Sequence, residues 1–522
     1  MENNSKLYLL AIGGTGARVV RSLTMLLASG IDGLNSTIEV VPVIIDFDLG
    51  NGDLNRAVDA LKQYHLINTQ LYPAGGTTVY DNHYFMTRIT SLWDVGKGGK
   101  PDHCEDYKMY FGPAGKSLTF AESLGFDALN NNPDTRVTAD LMRCLYDDSP
   151  EKLDAVNSNP DAELNLDLTV GFKGNPNIGS VVFHSIRNNE AFKRMESNIG
   201  TNDRVFIVSS IFGGTGSSGF PELVRAIHNS TAPLLNTAKL GAVVVLPYFN
   251  LTNTGGAIDA NSFNSKAKDA LEYYANNLNE YLKALYYVGD TKRDNPNYAE
   301  GGTAQINPAQ TIEFVAATAV IDFMLKSDAL LNTSTAYEYG LNAADEEINL
   351  TYSHFDNGSK FMFLKRLHEF AMAMKYYNDR IHGARNQVGE SKAYFGPKGY
   401  NLNTKKYQGI YECVNNFLPL HTDGNYKNNW GFCPWVTELE SHNGARSLKF
   451  FRMDTKSDCR SMFVFKGENP IEMGFGKFNP FKDDYIDTKL NEGLKHMGND
   501  TSECAFFKNL RDVMQASFSS IG

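Results

Sequence analysis

The stretch VFIVSSIFGGTGSSGF, Val205 to Phe220, decides the fold. Its apolar start is typical of a buried strand, and glycines then surround Thr215 and two serines. The residues after Gly219 have helical spacing, so the glycines lie between a strand and a helix. A loop with so few side chains lets the backbone approach a ligand, and the helix start offers N–H groups to an anion. The stretch therefore predicts a phosphate-binding turn.

A similar turn occurs near the N-terminus. LYLLAI, residues 7–12, predicts a buried strand, and GGTGARVVRSLTMLLASG predicts glycines followed by a helix. STIEVVPVIIDFD then predicts a strand that ends in Asp46 and Asp48. This order is a βαβ unit of a parallel sheet. Taken alone, the turn fits a phosphate loop, a Rossmann dinucleotide site with Asp46 on the ribose, or a tight turn without a ligand.

Two such loops in one sheet indicate a single polyphosphate that is held from two sides, because an ordinary dinucleotide fold has one phosphate loop. The expected donors of the second loop are the backbone N–H groups of Gly213, Gly214 and Gly216 and the hydroxyls of Thr215, Ser217 and Ser218. The lysine-bearing motif GxxxxGK[ST] is absent from the sequence. Mg²⁺ is therefore expected to offset the phosphate charge.

Composition sets the broader limits. The 522 residues allow two to four domains, and 42% hydrophobic with 21% charged residues provides for a sizeable core. No apolar run reaches the roughly 18 residues of a membrane span, and no signal peptide is recognisable, so a cytoplasmic location is expected. The six cysteines lie far apart, which predicts reduced thiols and no structural zinc. The net charge of −11 argues against general nucleic-acid binding.

The second loop also carries a family resemblance. FGGTGSSG resembles the tubulin signature GGGTGSG, which FtsZ shares, and it follows VFIVSS as the signature follows its strand in that family. KLGAVVVLPYF resembles the next strand, AIGGTGAR the first phosphate loop, and VIIDFD the loop after the second strand. The resemblance covers roughly residues 7–48 and 165–325, and it is closest to divergent bacterial tubulin-like proteins.

The resemblance implies an α/β protein with a Rossmann-like, parallel-sheet nucleotide-binding domain of the tubulin/FtsZ type. This domain would comprise residues 1–306, with an insertion at about 53–165. A long central helix would follow at 307–325, and a C-terminal α+β domain at 326–522.

The resemblance also implies GTP or GDP with Mg²⁺ as the ligands. The residues implied for the α- and β-phosphates are Gly13, Gly14, Thr15, Gly16 and Ala17. Asp46 would lie near the phosphates and the metal, and GFKGNPNIG, with Gly174 and Asn175, would meet the γ-phosphate. Asn307 would read the guanine edge, because an amide both donates and accepts. It also fits a helix cap before Pro308, and both roles can hold.

Hydrolysis in this family uses an acidic loop that one subunit lends to the nucleotide of its neighbour. The nearest stretch here is GLNAADEE, whose candidates are Asn342, Asp345, Glu346 and Glu347. The spacing between its Asn and Asp is one residue longer than in the family pattern. A solvated acidic loop is the alternative interpretation, so nucleotide binding with slow GTP hydrolysis is expected.

The predicted function is a GTP-binding protein that assembles with itself head to tail, with nucleotide at each junction. Other protein partners would contact residues 53–165 and the C-terminal domain. One alternative is an NAD- or FAD-dependent enzyme that uses the first loop and Asp46, which leaves the second loop without a role. Another is a nucleotide-gated adaptor that stays monomeric or forms a closed oligomer.

Overall fold

The computed structural model describes most of the chain, with gaps. The described residues are 5–34, 38–48, 50–72, 83–95, 106–109, 111, 118–146, 163–172, 175–248, 263–289, 302–333, 336–340, 358, 360–377, 394, 399–400, 402, 405–419, 427–440, 451–452, 463–466, 469–470, 483–496, 498 and 500–519.

The described strands form one large sheet and one small sheet. The eight strands of the large sheet are β1 (Lys6–Ile12), β2 (Glu39–Ile45), β3 (Arg88–Ile89), β4 (Lys108–Met109), β5 (Arg204–Ser210), β6 (Lys239–Val245), β7 (Ala284–Val288) and β8 (Tyr337–Gly340). Their order is β3-β2-β1-β5-β6-β7-β8, β4 also pairs with β2, and all these pairings are parallel. The small antiparallel sheet comprises β9 (Phe451–Arg452), β10 (Phe463–Lys466) and β11 (Asn469–Pro470).

Helices cover both faces of the large sheet. The α-helices are α1 (Gly13–Ala28), α2 (Gly52–Leu71), α3 (Phe120–Ser123), α4 (Phe126–Asn131), α5 (Arg136–Tyr146), α6 (Pro176–Phe183), α7 (Glu190–Asn198), α8 (Gly214–His228), α9 (Pro233–Asn236), α10 (Phe263–Asn277), α11 (Thr311–Leu325), α12 (Asp328–Leu331), α13 (Arg366–Tyr376), α14 (Lys405–Phe417), α15 (Phe432–Glu440), α16 (Asp483–His496) and α17 (Glu503–Ser519). A π-helical turn, Lys360–Lys365, leads into α13. No helix within the described ranges is long and apolar enough to cross a membrane.

Strand β1 shows why the sheet lies between two helical layers. Successive side chains of a strand point to opposite faces, so Leu9 joins the core that includes α1, α2 and α11. Leu10 joins the core that includes α6 and α8 on the other face. Strands that are buried on both faces read as continuous apolar runs, as β1 and β6 do. The predicted α/β class with a parallel, Rossmann-type sheet is confirmed.

The strand order reverses between β1 and β5. The chain adds β2 and β3 on one side of β1, and it adds β6, β7 and β8 on the far side of β5. The carboxyl ends of these two adjacent strands lead into α1 and α8. In open parallel sheets, ligands bind at such a switch point.

Two elements differ from the sequence expectation. The segment LDLTVGFKGNPNIGSVVF predicts a strand and a loop, but the structure has a 3₁₀ turn at Leu168–Val170 and then α6. Pro176 is the first residue of α6, a position that suits its fixed φ. The central helix α11 begins at Thr311 rather than at Asn307, because Gln310 and Glu313 form a reciprocal cap there.

C-terminal helix α15 is joined to the first two helices by charged pairs. Arg21 of α1 donates to Glu438 Oε2 at 2.7 Å, and Arg56 of α2 contacts the other oxygen of the same carboxylate. Both arginines are almost fully buried. The domain boundaries remain predictions. These ion pairs connect the predicted N-terminal domain, residues 1–306, with the predicted C-terminal domain, residues 326–522.

Candidate functional site

The first glycine loop lies directly at the end of β1. Strand β1 ends at Ile12, and α1 begins at Gly13, whose φ of +71° lies in the left-handed region that favours glycine. Among the described residues, no side chain caps this helix start. A β-carbon built on Gly16 would lie 2.7 Å from the carbonyl carbon of Ala11, so Gly16 allows α1 to pack on β1. Ala17 is fully buried.

The second loop repeats this design at the end of β5. Gly213 has a φ of +79°, and Gly214 begins α8, again without a side-chain cap. No described atom lies within 4 Å of a β-carbon built on Gly213, which leaves the loop open on that side. A β-carbon on Gly216 would lie 2.8 Å from the Ser210 carbonyl oxygen, so this glycine serves close packing.

The two loops contact each other. A β-carbon built on Gly13 would lie 3.6 Å from Thr215 Cβ and 3.8 Å from the Gly216 nitrogen. Two uncapped helix starts therefore meet at the switch point of the sheet. Each helix start presents N–H groups that lack partners within the helix, and together they favour an anion between them.

The hydroxyls near this junction differ in their orientation. The sequence predicts Thr215, Ser217 and Ser218 as phosphate donors. In the structure, the Ser218 hydroxyl donates to the Gly214 carbonyl at 2.6 Å, and Ser217 donates to the Gly213 carbonyl. The half-buried Thr215 hydroxyl has no hydrogen-bond partner among the described residues. Thr215 is thus the hydroxyl of this loop that is placed to donate to a ligand.

The predicted γ-phosphate segment lies beside the second loop. Gly174 is outside the described residues, and Asn175 immediately precedes α6. Gly179 of α6 packs on Ser218 of α8, and further along, His184 Nδ1 lies 3.7 Å from Glu222 Oε2. The earlier residue of the first segment, Gly179, contacts the earlier residue of α8, Ser218, and the later residue, His184, lies near the later one, Glu222. The helices α6 and α8 therefore run in the same direction. Their N-terminal ends consequently lie at the same side of the sheet.

Asp46 is a buried carboxyl that is paired with no cation of the described residues. It is 4% exposed and accepts from the Asp48 N–H at 3.2 Å and from Asn51 Nδ2 at 3.3 Å. Burial raises the pKa of Asp46 to about 7, and the nearby Asp48 adds to the rise. No Lys, Arg or His of the described chain forms an ion pair with it.

The neighbour of Asp46 links this acid to the γ-phosphate segment. The Phe47 ring packs on Phe172 and Phe183 at centroid distances of 4.7 and 5.5 Å, and on Phe111 at 4.3 Å. The described residues contain no group of three His, Cys, Asp or Glu placed to hold a metal ion. Mg²⁺ commonly uses only one or two carboxylates together with substrate phosphates, so Asp46, which accepts from Asn51 beside Gly14 of the first loop, could take part in such a site.

Asn307 is hydrogen-bonded to a neighbouring carboxylate. Its N–H and its side-chain amide donate to the two oxygens of Asp53 at 2.9 and 3.0 Å, and its carbonyl accepts from Arg56. It is 1% exposed and lies four residues before α11 begins. Its proposed contact with guanine remains a prediction, and these contacts give Asn307 a structural role.

Arg18 lies beside the first glycine loop, and no motif in the sequence points to it. Its guanidinium donates to Asp53 Oδ2 at 2.6 Å, to Glu313 Oε1 and to the Tyr248 hydroxyl at 2.7 Å. It also donates to Thr15 Oγ1 at 3.2 Å, which leaves the Thr15 hydroxyl proton available to a ligand. Asp53, Tyr248 and Glu313 lie 35, 230 and 295 positions from Arg18, so no local pattern could have revealed their part of the network.

The candidate catalytic acids Asp345, Glu346 and Glu347, together with Asn342, lie outside the described residues. Strand β8 ends at Gly340, the first residue of that stretch. Their role therefore stays a prediction.

Comparisons with known proteins support the sequence resemblance. Residues 180–389, less than half of the chain, match the model of a family described as tubulin-like. This range includes the second glycine loop and α11, so the resemblance to tubulin-like proteins is confirmed over it. A search of curated proteins gives no match.

Two solved structures are similar at low identity. One is a GTPγS-form protofilament of TubZ from Bacillus thuringiensis serovar israelensis, with 9% identity, 55% of this chain and 48% of that chain covered, and a TM-score of 0.21. The other is a helical model of the two-stranded TubZ-Bt filament, with 9% identity, coverages of 64% and 58%, and a TM-score of 0.24. The chain spans about half of the length of the first and somewhat more of the second.

Proposed function

We propose that this tubulin-like chain binds GTP or GDP with Mg²⁺ in the crevice beyond the carboxyl ends of β1 and β5. The observation that carries the proposal is the contact between the two glycine loops, Gly13 against Thr215 and Gly216. Either loop alone could be a tight turn. Because the two uncapped helix starts meet, they offer converging N–H donors that suit a chain of phosphates.

Asp46 supports the metal part of the proposal. A buried carboxylate that lacks a cation raises the free energy of the folded protein, and a bound Mg²⁺ would lower it. Asp46 would hold the cation beside the phosphates. Bound Mg²⁺ would supply the charge compensation that a lysine provides in other phosphate loops.

Guanine selectivity, slow hydrolysis and head-to-tail assembly extend the proposal through the family resemblance. Asp345, Glu346 and Glu347 would act on the nucleotide of a neighbouring copy, where positioned acids and charge compensation lower the barrier to phosphoryl transfer. A head-to-tail interface that does not close produces a filament. Other protein partners would bind residues 53–165 or the C-terminal domain.

The rival dinucleotide enzyme shares the strand order of the sheet. It requires one phosphate loop, whereas here the second loop lies against the first. The position of Thr215 thus favours a polyphosphate that contacts both loops.

The first experiment identifies the nucleotide that co-purifies and measures fluorescent GTP, GDP, ATP and NAD binding with Mg²⁺ or EDTA. We expect tight GTP and GDP binding that weakens in EDTA. Thr215→Val should weaken GTP binding about tenfold, the cost of one hydrogen bond to a charged group. Thr318→Val, which removes a half-buried hydroxyl on α11, is the matched control and should bind like the wild type.

Binding of NAD or flavin in place of GTP would refute the nucleotide assignment. Pelleting and light scattering with GTP, GDP and a non-hydrolysable analogue test assembly separately. Assembly that is indifferent to nucleotide would refute the filament part and leave nucleotide binding intact.

A further inference from the structure

A short segment ahead of the central helix lies across the first turns of α1 and α2. The Gly302 N–H donates to Asp48 Oδ2 at 2.6 Å, and Asn307 is held at the other end by Asp53. Between these anchors, a β-carbon on Gly52 would lie 2.9 Å from the Gln305 carbonyl oxygen. The segment 302–307 is therefore fixed against the loop that follows β2.

Gln305 directs its side chain from this segment to the first glycine loop. It is 7% exposed, and its Nε2 lies 2.8 Å from the position of a β-carbon built on Gly14. Asn51 Nδ2, which also donates to Asp46, lies 3.4 Å from the same position. The absence of a side chain at Gly14 is what allows the Gln305 amide to approach α1.

The amide thus lies one residue away from the contact between the two loops. Gly13, adjacent to Gly14, is the residue that meets Thr215. A primary amide offers two N–H donors to phosphate or sugar oxygens and one acceptor to a sugar hydroxyl. Its position beside the first turn of α1 places this chemistry at the phosphate end of a bound nucleotide rather than at its base.

We propose that Gln305 is a nucleotide-binding residue whose side-chain amide hydrogen-bonds the sugar–phosphate part of the ligand. This inference rests on the proposed function and assigns to it a residue that the sequence does not single out. Gln305 adds to affinity for any nucleotide in the site without distinguishing the bases.

The test compares Gln305→Met with the wild type in binding GTP, GDP and ATP, each with Mg²⁺. We expect affinity for GTP and for GDP to fall about tenfold, by the loss of one charge-assisted hydrogen bond, with the GTP-to-ATP ratio unchanged. Gln305→Glu keeps the shape but sets a carboxylate beside the phosphates, so it should bind more weakly still. Gln63→Met is the control, since Gln63 is a buried glutamine that donates to the Cys413 carbonyl at 3.0 Å, away from the site.

Circular dichroism and thermal melts of each variant separate lost binding from lost folding. If Gln305→Met does not fold, Gln305→Glu carries the comparison because it preserves volume. Wild-type affinity in a folded Gln305 variant would overturn this inference alone, and a changed GTP-to-ATP ratio would assign Gln305 to the base instead. A wild-type chain that binds no nucleotide would overturn the proposed function as well.

Discussion

Replacing the buried Asp46 carboxyl by an amide should alter stability in a pH-dependent manner. Burial raises the pKa of Asp46 from 3.8 to about 7. Between these values the folded protein binds a proton that the unfolded chain releases. The stability from this group is therefore fully present below pH 3.8 and is lost as the pH rises through 7. Asp46→Asn does not titrate, so it avoids this loss.

The expected loss of stability follows from the size of the pKa shift of Asp46. One pKa unit corresponds to about 1.4 kcal/mol, so about three units cost the wild type roughly 4 kcal/mol above pH 7. At pH 5 the cost is about 2 kcal/mol, because the folded carboxyl is still protonated there. The weakened contact with Asn51 costs the variant about 1 kcal/mol at every pH. The advantage of the variant should therefore widen by about 2 kcal/mol from pH 5 to pH 8.

Urea unfolding in EDTA, without nucleotide, measures this difference at each pH. Asp203→Asn is the control, because Asp203 is equally buried but is paired with Lys6 Nζ at 2.9 Å and accepts from two backbone N–H groups. Its amide variant should be less stable than the wild type throughout. A difference between Asp46→Asn and the wild type that stays constant or narrows toward pH 8 would refute the reasoning.

Mg²⁺ and GTP should offset the stability advantage of the variant. The wild type should gain about 3 kcal/mol at a ligand concentration a hundred times Kd, and Asp46→Asn should gain much less because it lacks the metal ligand. An equal gain would contradict the metal role of Asp46 without affecting the pH prediction.

Two further predictions concern the second loop and the thiols. Gly216→Ala should lower stability by about 1–3 kcal/mol in thermal or urea unfolding, because its new β-carbon would meet the Ser210 backbone, whereas Thr215→Val should leave stability nearly unchanged. Equal losses would show that the loop is not packed as described. Burial raises the pKa of Cys433 to about 12, so a thiol reagent followed by peptide mapping should leave Cys433 unmodified in the native protein and label the exposed Cys144. Modification of both thiols at equal rates would contradict this burial.

The sheet was predictable because each of its main strands can be recognised from its own residues. β1, β2, β5 and β6 are apolar runs bounded by glycine, proline or acidic residues, and burial on both faces requires such runs. The two glycine loops were predictable for a related reason. Backbone that must take a positive φ or approach another segment closely demands glycine, and Gly13 and Gly213 have that conformation.

The remaining features depend on contacts that a linear pattern does not encode. VVF in α6 reads equally well as strand or helix, and Pro176 was the signal that could have decided between them. Asn307 resembles a helix cap, yet the stronger signal is the Gln310–Glu313 pair three residues further on. The pairing of Arg18 with Glu313 spans 295 positions, so it exists only once the sheet has brought α1 and α11 together.

The convergence of distant segments has a consequence for synthesis on the ribosome. Gly13–Ala17 emerges early, but the segment that lies over it, Gly302–Asn307, follows almost three hundred residues later. At typical rates of translation this interval lasts roughly a quarter of a minute to a minute. During the first part of it the nascent chain lacks the second glycine loop, Gly213–Gly219, and during the rest it still lacks the segment that lies over the first loop. Nucleotide bound at the complete proposed site would therefore stabilise only a chain that has been synthesised as far as the central helix, and shorter fragments would have to remain folded without it.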